Sequence, residues 1–273
     1  MNKLIKHYGR YRFVLSELVK KGIKLRYRRS YLGVFWSFLE PLLNMFVLYF
    51  VFGSLLGRSN SDYGGLHFMI YILGGRLIYT FFNQSTKECT RSIRQNSALI
   101  KKVHIPKYLF PLSNILFNFV LFLISLLVLA VVYLILVAMG PETQALPTWN
   151  ILLMFVPIIN LFLLTLGAGL ILSTIGVFFK DMEYLWNVFM TLVFYACAIF
   201  YSIEKIVKNA PVVAKIMQLN PLYCIITNFR ECLQPVPAFN WYYVLYSFCF
   251  SIVAILFGIW IFRKNQDKFI LHV

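Results

Sequence analysis

The chain has 273 residues, of which 60% are hydrophobic and 13% are charged, and its mean hydropathy is +0.74. Soluble domains carry about 25% charged residues, so this composition excludes an ordinary soluble protein and predicts an all-α integral membrane protein. The net charge of +16 sits in the short segments between apolar runs, so we expect a membrane, and no nucleic acid, as its partner.

The first 33 residues carry ten Lys and Arg side chains and one acidic side chain, Glu17. Apolar residues and a glycine recur here at helical spacing: Tyr11, Val14, Leu15, Leu18, Gly22 and Leu25. A helix with one apolar and one cationic face lies along a membrane surface, so residues 1–33 are predicted to form an amphipathic interface helix. The alternative is a plain cationic anchor on the cytoplasmic side.

Six apolar stretches are long enough to cross a bilayer, whose hydrocarbon core is about 30 Å thick. They cover residues 34–57, 65–86, 109–139, 150–178, 184–203 and 241–262. The second stretch contains Arg76, which is costly in lipid unless it pairs with another group or reaches the surface. The chain is therefore divided into the interface helix region, a six-span bundle over residues 34–262 and a tail over residues 263–273.

The region between the fifth and sixth spans has a different pattern. Residues 212–219 and 222–233 are apolar pieces that are too short to cross the membrane. Prolines punctuate them at positions 211, 221, 235 and 237. We predict two short helices that enter the membrane from the outer side and leave on the same side, which is a re-entrant segment. A globular outer loop is the alternative.

Lys and Arg are distributed unevenly between the two sides of this topology. Twenty of the 26 lie in the N-terminal segment, in residues 87–108, in the turn at 179–183 and in the tail, whereas five lie on the opposite side. Because cytoplasmic loops carry an excess of Lys and Arg, we expect a multi-pass protein of the plasma membrane with both termini in the cytoplasm.

The sequence contains none of the patterns that mark a catalytic or nucleotide-binding site. It has no glycine-rich phosphate loop, no HExxH zinc motif and no CxxC pair. We therefore expect no catalytic site, metal or cofactor in this chain; a disulfide between Cys224 and Cys232 is left open. Glu40 and Arg76 are the only Asp, Glu, Lys or Arg residues within the predicted spans, so transport is either passive or driven by a partner.

Four short blocks resemble the membrane subunit of type-2 ABC exporters, most closely the branch that exports O-antigen and wall teichoic acid. Residues 26–41 fit Arg-Tyr-Arg-x-Ser-x-Leu-Gly-x-x-Trp-x-x-Leu-x-Pro, and residues 96–106 read Asn-Ser-Ala-Leu-Ile-Lys-Lys-Val-His-Ile-Pro. Residues 178–181 read Phe-Phe-Lys-Asp where the family has Phe-Arg-Asp, and residues 220–223 read Asn-Pro-Leu-Tyr, with Arg230 following. The blocks are in the family's order, which implies one type-2 ABC transmembrane domain over residues 1–273.

The resemblance implies a permease subunit that forms a homodimer and binds two copies of a separate ATPase, which itself holds ATP and Mg²⁺. The implied cargo is a polysaccharide linked to undecaprenyl diphosphate, of the wall teichoic acid or O-antigen type. The residues implied to couple transport to the ATPase are Leu99, Ile100, Lys101, Lys102, Val103, Pro106, Lys180 and Asp181.

Two further sites are implied at the ends of the pathway. The cytoplasmic entrance comprises Arg26, Arg28, Arg29, Tyr31, Trp36 and Glu40. Its guanidinium groups suit a diphosphate, which they bind through paired hydrogen bonds, or else anionic lipid headgroups. The outer gate comprises Asn220, Pro221, Tyr223 and Arg230. The chain departs from the family at Cys197-Ala198, where Ser-Pro or Thr-Pro is common, and so lacks a site for a proline kink.

Three other functions are weighed against this one. The first is a drug or lipid exporter of the same superfamily. The second, from a different class, is a membrane enzyme that acts on polyprenyl lipids, which requires a polar cluster within the spans. The third is a passive channel, which would show flux without ATP.

Overall fold

The computed structural model describes residues 2–28, 30–54, 65–103, 105–140, 144–146, 149–203, 206–207, 210–235 and 239–269. Helices are the only regular secondary structure in these ranges. They begin with α1 (Asn2–Tyr27), α2 (Trp36–Leu48), which continues as a π-helix over Tyr49–Ser54, α3 (Phe68–Gln95) and α4 (Ser97–Lys102). They continue with α5 (Leu109–Ala138), α6 (Phe155–Phe178), α7 (Met182–Ala196), α8 (Pro211–Gln218), α9 (Pro221–Glu231) and α10 (Trp241–Asn265).

Four of the described helical segments are long and apolar enough to cross a membrane: Gly33–Phe52, Leu109–Ala138, Trp149–Phe178 and Trp241–Lys268. They correspond to the first, third, fourth and sixth predicted spans. The second predicted span lies in α3, which is long enough to cross a membrane but is more polar than these four segments. The fifth lies in α7, whose 15 residues rise only about 22 Å. The all-helical membrane fold is confirmed, and the count of six spans stays a prediction.

Helix α3 is the centre of the bundle, in contact with α2, α5, α6, α7 and α9. Its apolar face is buried in the largest hydrophobic cluster of the described residues. Its other face carries polar residues at spacings of three and four, so that they share one side of the helix: Arg76, Thr80, Asn83, Gln84, Lys87, Glu88, Arg91 and Gln95. We call this face the polar stripe of α3. Residues 87–95, which were predicted to belong to a loop, continue the helix to its end.

Helix α1 packs along α5 through its less polar side. A Cβ added at Gly22 would lie 3.3 Å from the ring of Phe117, so a glycine lets the two helices approach closely. Val14 and Leu18 are half-buried, whereas Lys20 and Lys24 are exposed. Residues 2–27 are helical, and the amphipathic character of this helix stays a prediction. Its position at the membrane surface stays a prediction.

Helices α6 and α10 cross closely because the residues at their contact are small. A Cβ on Gly167 would lie 2.7 Å from the backbone carbonyl carbon of Ala254. About two turns away along α6, Nδ2 of Asn160 donates to Oγ of Ser247 at 2.6 Å, and Oδ1 of Asn160 accepts from Oγ of Ser251 at 2.8 Å. These buried hydrogen bonds set the position of α10 along α6.

The two short helices predicted between the last two spans are present as α8 and α9. Helix α9 begins at Pro221, because proline suits the first helical position and Oδ1 of Asn220 accepts a hydrogen bond from the backbone N–H of Leu222 at 3.0 Å. Cys224 and Cys232 are both buried and are not joined by a disulfide. Whether these helices re-enter the membrane stays a prediction.

Candidate functional site

A polar cavity of about 180 Å³ lies between α1, α2, α3 and α5. Its charged lining residues are Arg26 from α1, Glu40 from α2 and Arg76 from α3. Nη2 of Arg76 donates to Oδ1 of Asn44 at 3.2 Å, and its guanidinium lies 5.7 Å from the ring centre of Phe194. The arginine of the second predicted span therefore has a polar partner and a polar space beside it, which an arginine within a membrane span would require.

A larger groove, of about 710 Å³, lies beside this cavity between α1, α3 and α5. Its charged lining residues are four cations and one carboxylate: Lys21, Arg26, Lys87, Arg91 and Glu88. We call this surface the basic groove. Arg26 lines both spaces, so the polar stripe of α3 leads from the groove into the cavity. The excess of ammonium and guanidinium donors suits an anion with several oxygen atoms, such as a phosphate group.

The side chain of Arg26 is held at the boundary of the two spaces by α3 and α5. It donates to Oδ1 of Asn118 at 3.3 Å and to Oε1 of Gln84 at 3.0 Å, and it lies 3.7 Å from Oε1 of Glu88. Nδ2 of Asn118 also donates to Oε2 of Glu88 at 2.7 Å, so the carboxylate is fixed as well. The adjacent Tyr27 faces the cavity, and burial raises the pKa of its phenol, which keeps it neutral at physiological pH.

The predicted entrance residues are only partly brought together. Arg26 and Glu40 line the cavity, whereas Arg28, Tyr31 and Trp36 are exposed and do not line it. Arg29 lies outside the described residues.

Lys21, Lys87 and Arg91 were not among the predicted entrance residues, although they line the groove. The helical spacing of the polar stripe is a signal that would have grouped Lys87 and Arg91 with Arg76.

The predicted coupling residues divide into a packed set and an exposed set. Leu99 and Ile100 are half-buried against a small apolar cluster near the ends of α3, α5, α6 and α10. Pro106 is half-buried. The exposed set is Lys101, Lys102 and Val103 at the end of α4, together with Lys180 and Asp181 in the turn before α7.

The predicted outer-gate residue Arg230 is buried, with 4% of its surface exposed. Its guanidinium donates to three backbone carbonyls, those of Tyr71 at 3.2 Å, Ala198 at 3.1 Å and Ile199 at 2.9 Å. It also lies 3.5 Å from the ring centre of Tyr71. A Cβ on Gly75 would come within 2.4 Å of Nη2 of Arg230, so this glycine makes room for the arginine.

These contacts explain why α7 ends at Ala196 although the expected proline is absent. Ala198 has a φ of +48°, which is unusual for a residue with a Cβ and turns the chain out of the helix. The carbonyls that the turn exposes are satisfied by Arg230 and by the hydroxyl of Tyr71, which donates to Ala198 and Tyr201. A side chain from α9 thus replaces the proline as the cause of the bend.

The other three predicted outer-gate residues lie on the same short helix. Asn220 and Pro221 begin α9, and Nδ2 of Asn220 lies 3.4 Å from Sγ of Cys197. Tyr223 is buried, with its ring 6.3 Å from that of Tyr243 on α10. The four residues therefore fix α9 between the end of α7 and the neighbouring helices.

Comparison with known proteins gives consistent results. A family model described as ABC-2 type transporter matches residues 14–234. The chain is 28% identical over 256 residues to the O-antigen export system permease protein RfbA of Klebsiella pneumoniae. The aligned region covers 94% of this chain and 93% of that protein. It is 30% identical over 230 residues to RfbA of Myxococcus xanthus, which covers 84% of each chain. It is 20% identical over 260 residues to the polysialic acid transport protein KpsM of Escherichia coli, which covers 93% of each.

Proposed function

We propose, since the chain belongs to the ABC-2 type transporter family, that it is the permease subunit of an exporter of polysaccharides linked to undecaprenyl diphosphate. The observation that carries this proposal is the near full-length similarity to permeases that are named for O-antigen export. The cargo is of the O-antigen or wall teichoic acid type. Energy comes from a separate ATPase that binds ATP and Mg²⁺, since the chain has no phosphate loop of its own.

The complex in this proposal contains two copies of the chain and two of the ATPase. The chain crosses the plasma membrane six times, with both termini in the cytoplasm, as the distribution of Lys and Arg favours. The ATPase binds the exposed set at the end of α4 (Lys101, Lys102 and Val103), with a second contact at the Lys180-Asp181 turn. Leu99, Ile100 and Pro106 support this surface from beneath, because they are packed and half-buried. The outer gate is framed by α9.

The double variant Lys101→Glu and Lys102→Glu tests the function and the orientation together. In a strain that lacks the wild-type gene, we expect the double variant to reach the membrane but to lose the ATPase on purification, because reversed charge at a docking surface opposes association. It should restore about tenfold less surface polysaccharide than the wild-type protein does. The measurements are co-purification of the ATPase and the amount of polysaccharide on the cell surface.

The control is Lys215→Glu, which reverses an exposed cation on α8, on the side that we predict to be outside. It should bind the ATPase and restore the polysaccharide. Normal export by the double variant would contradict the position of the ATPase. A deletion strain with normal surface polysaccharide but altered drug susceptibility would favour the drug exporter.

The cytoplasmic entrance is proposed to lie at the basic groove and the cavity beside it. The diphosphate of the lipid-linked substrate binds in the groove, where Lys21, Lys87 and Arg26 donate hydrogen bonds to its oxygen atoms. Arg28, Arg29, Tyr31 and Trp36 extend the entrance at the surface, and Glu40 lines the inner cavity. The support for this assignment is the excess of cations over the single carboxylate Glu88.

The double variant Lys21→Gln and Lys87→Gln tests the groove in the purified complex. We expect the concentration of undecaprenyl diphosphate that half-maximally stimulates the ATPase to rise about tenfold to a hundredfold. Hydrogen bonds to a charged group are worth roughly 1.5–3 kcal/mol, and about 1.4 kcal/mol corresponds to a factor of ten. The measurement is ATP hydrolysis in lipid nanodiscs as undecaprenyl diphosphate is added.

The matched control is Lys20→Gln with Lys24→Gln, which removes the same charge from the exposed side of α1. It should leave the half-maximal concentration unchanged. If phosphatidylglycerol stimulates the ATPase as well as undecaprenyl diphosphate does, and the groove variant weakens both equally, the groove is a general site for anionic lipid headgroups.

A further inference from the structure

The segment 179–183, which comprises the turn after α6 and the first two residues of α7, has an exposed side and a partly buried side. Lys180 and Asp181 are exposed, whereas the side chain of Glu183 is 27% exposed and lies against the cytoplasmic end of α3. Its Oε1 atom lies 3.5 Å from Nη1 of Arg91, and its Oε2 atom lies 3.9 Å from Nη2 of Arg94. One carboxylate therefore joins the turn to two guanidinium groups that are one helical turn apart.

This ionic link is the cytoplasmic end of a row of polar contacts between α3 and α7. Nε1 of Trp186 donates to Oγ1 of Thr86 at 2.9 Å, and the hydroxyl of Tyr79 donates to the carbonyl of Met190 at 2.7 Å. The two helices are antiparallel, and the row extends about 18 Å along α3, from position 79 to position 91. The neutral contacts involve buried partners, whereas the ion pair at the end is partly exposed and is the contact that most easily rearranges.

Arg91 has a second role, because it also lines the basic groove. The carboxylate of Glu183 and an anion in the groove would compete for the same guanidinium. A carboxylate beside Arg91 offsets part of its positive charge, so the position of Glu183 affects how strongly Arg91 attracts an anion.

We propose that Glu183 is a positioning residue that links the 179–183 turn to the charge of the basic groove. In the present arrangement Glu183 holds Arg91 and weakens its attraction for an anion in the groove. When the ATPase displaces the turn, the carboxylate moves away from Arg91 and the groove gains a free cation. The inference rests on the proposed function, in which the turn contacts the ATPase and the groove binds a diphosphate.

The variant Glu183→Gln removes the charge and keeps the shape of the side chain. In the complex with the ATPase, the half-maximal concentration of undecaprenyl diphosphate should fall about two- to fivefold, which is the size expected of a partly exposed ion pair. The maximal stimulation should fall as well, because the turn no longer changes the groove. A purely structural role for Glu183 would lower the thermal midpoint and leave the half-maximal concentration unchanged, which would overturn the proposal.

Glu17→Gln is the control, since it removes the same charge from an exposed pair with Lys20 on α1 and should change neither parameter. Glu183→Asp retains the carboxylate and should restore part of the maximal stimulation.

A second measurement does not depend on the substrate. Spin labels on cysteines introduced at Lys180 and Gln95, with the exposed Cys249 replaced, report the distance between the turn and α3. In the wild-type background this distance should change between the resting complex and the complex trapped with ATP. In Glu183→Gln the distribution of this distance should already be broad in the resting complex. The four samples are the wild type and Glu183→Gln, each at rest and trapped with ATP. Identical distance distributions in all four would overturn the proposal. A wild-type complex that undecaprenyl diphosphate does not stimulate would contradict the proposed groove site instead.

Discussion

Gly176→Ala is expected to lower sharply the stability and the yield of the folded protein. A Cβ at this position on α6 would lie 2.0 Å from the backbone carbonyl oxygen of Thr90 and 2.9 Å from its carbonyl carbon. A backbone group cannot turn away as a side chain can, so α3 and α6 would have to separate along the centre of the bundle. Overpacking of this kind costs about 3 kcal/mol or more, a large part of the roughly 5–15 kcal/mol that stabilises most proteins.

The measurement for Gly176→Ala is the amount of monodisperse protein after extraction, followed by its thermal midpoint. Ile159→Ala is the control, because Ile159 lies on the exposed side of the same helix and is 56% exposed. It should behave like wild type. A wild-type midpoint for Gly176→Ala would show that α3 and α6 are not in contact at Thr90.

Arg230→Leu is expected to have the second largest effect, a loss of about 3 kcal/mol. Leucine cannot donate to the carbonyl of Ile199, and a buried polar group without a partner costs about 1–3 kcal/mol, whereas the carbonyl of Ala198 keeps the hydroxyl of Tyr71 as its donor. The shorter side chain also leaves space beside Gly75, where the guanidinium now lies. We expect a lower thermal midpoint and faster amide hydrogen exchange over residues 197–203.

Two further variants separate the causes. Arg230→Lys keeps the charge but has neither the planar fork nor the stacking on Tyr71, so its midpoint should lie between those of leucine and wild type. Lys215→Leu removes an exposed cation from the adjacent helix α8 and should have little effect. Unchanged exchange in Arg230→Leu would mean that the bend after α7 does not depend on α9.

The sequence predicts most of the long helices because their apolar runs are continuous. The third and fourth predicted spans agree closely with Leu109–Ala138 and Trp149–Phe178. The predicted end of the second helix was wrong, because the polar residues between positions 87 and 95 of α3 were interpreted as a loop. A helix that buries one face and lines a polar space with the other resembles a surface segment when only its composition is considered.

The sites were harder to predict because they depend on contacts between distant positions. Arg230 and Tyr71 are 159 residues apart, and no local pattern shows that an arginine between Pro221 and Pro235 is buried. The basic groove joins Lys21 to Lys87 across α1 and α3 in the same way. Arg26 and Glu40 were found because both lie in one block that resembles the family, and that block says nothing about α3.

The polar stripe has a consequence for the way in which the chain enters the membrane. Lys or Arg at the centre of an inserting helix costs about 2.5–3.5 kcal/mol on scales measured for the insertion machinery, and α3 carries Arg76 within its predicted span, with Lys87 and Arg91 further along the same face. Alone, α3 would partition poorly into lipid. Within the bundle Arg76 lines the cavity between α3 and the helices α1, α2 and α5, and Lys87 and Arg91 line the basic groove. For α3 as the predicted second span, we therefore expect stable integration to wait until α5 has been synthesised, so that the central helix of the fold is integrated after a helix that follows it in the chain.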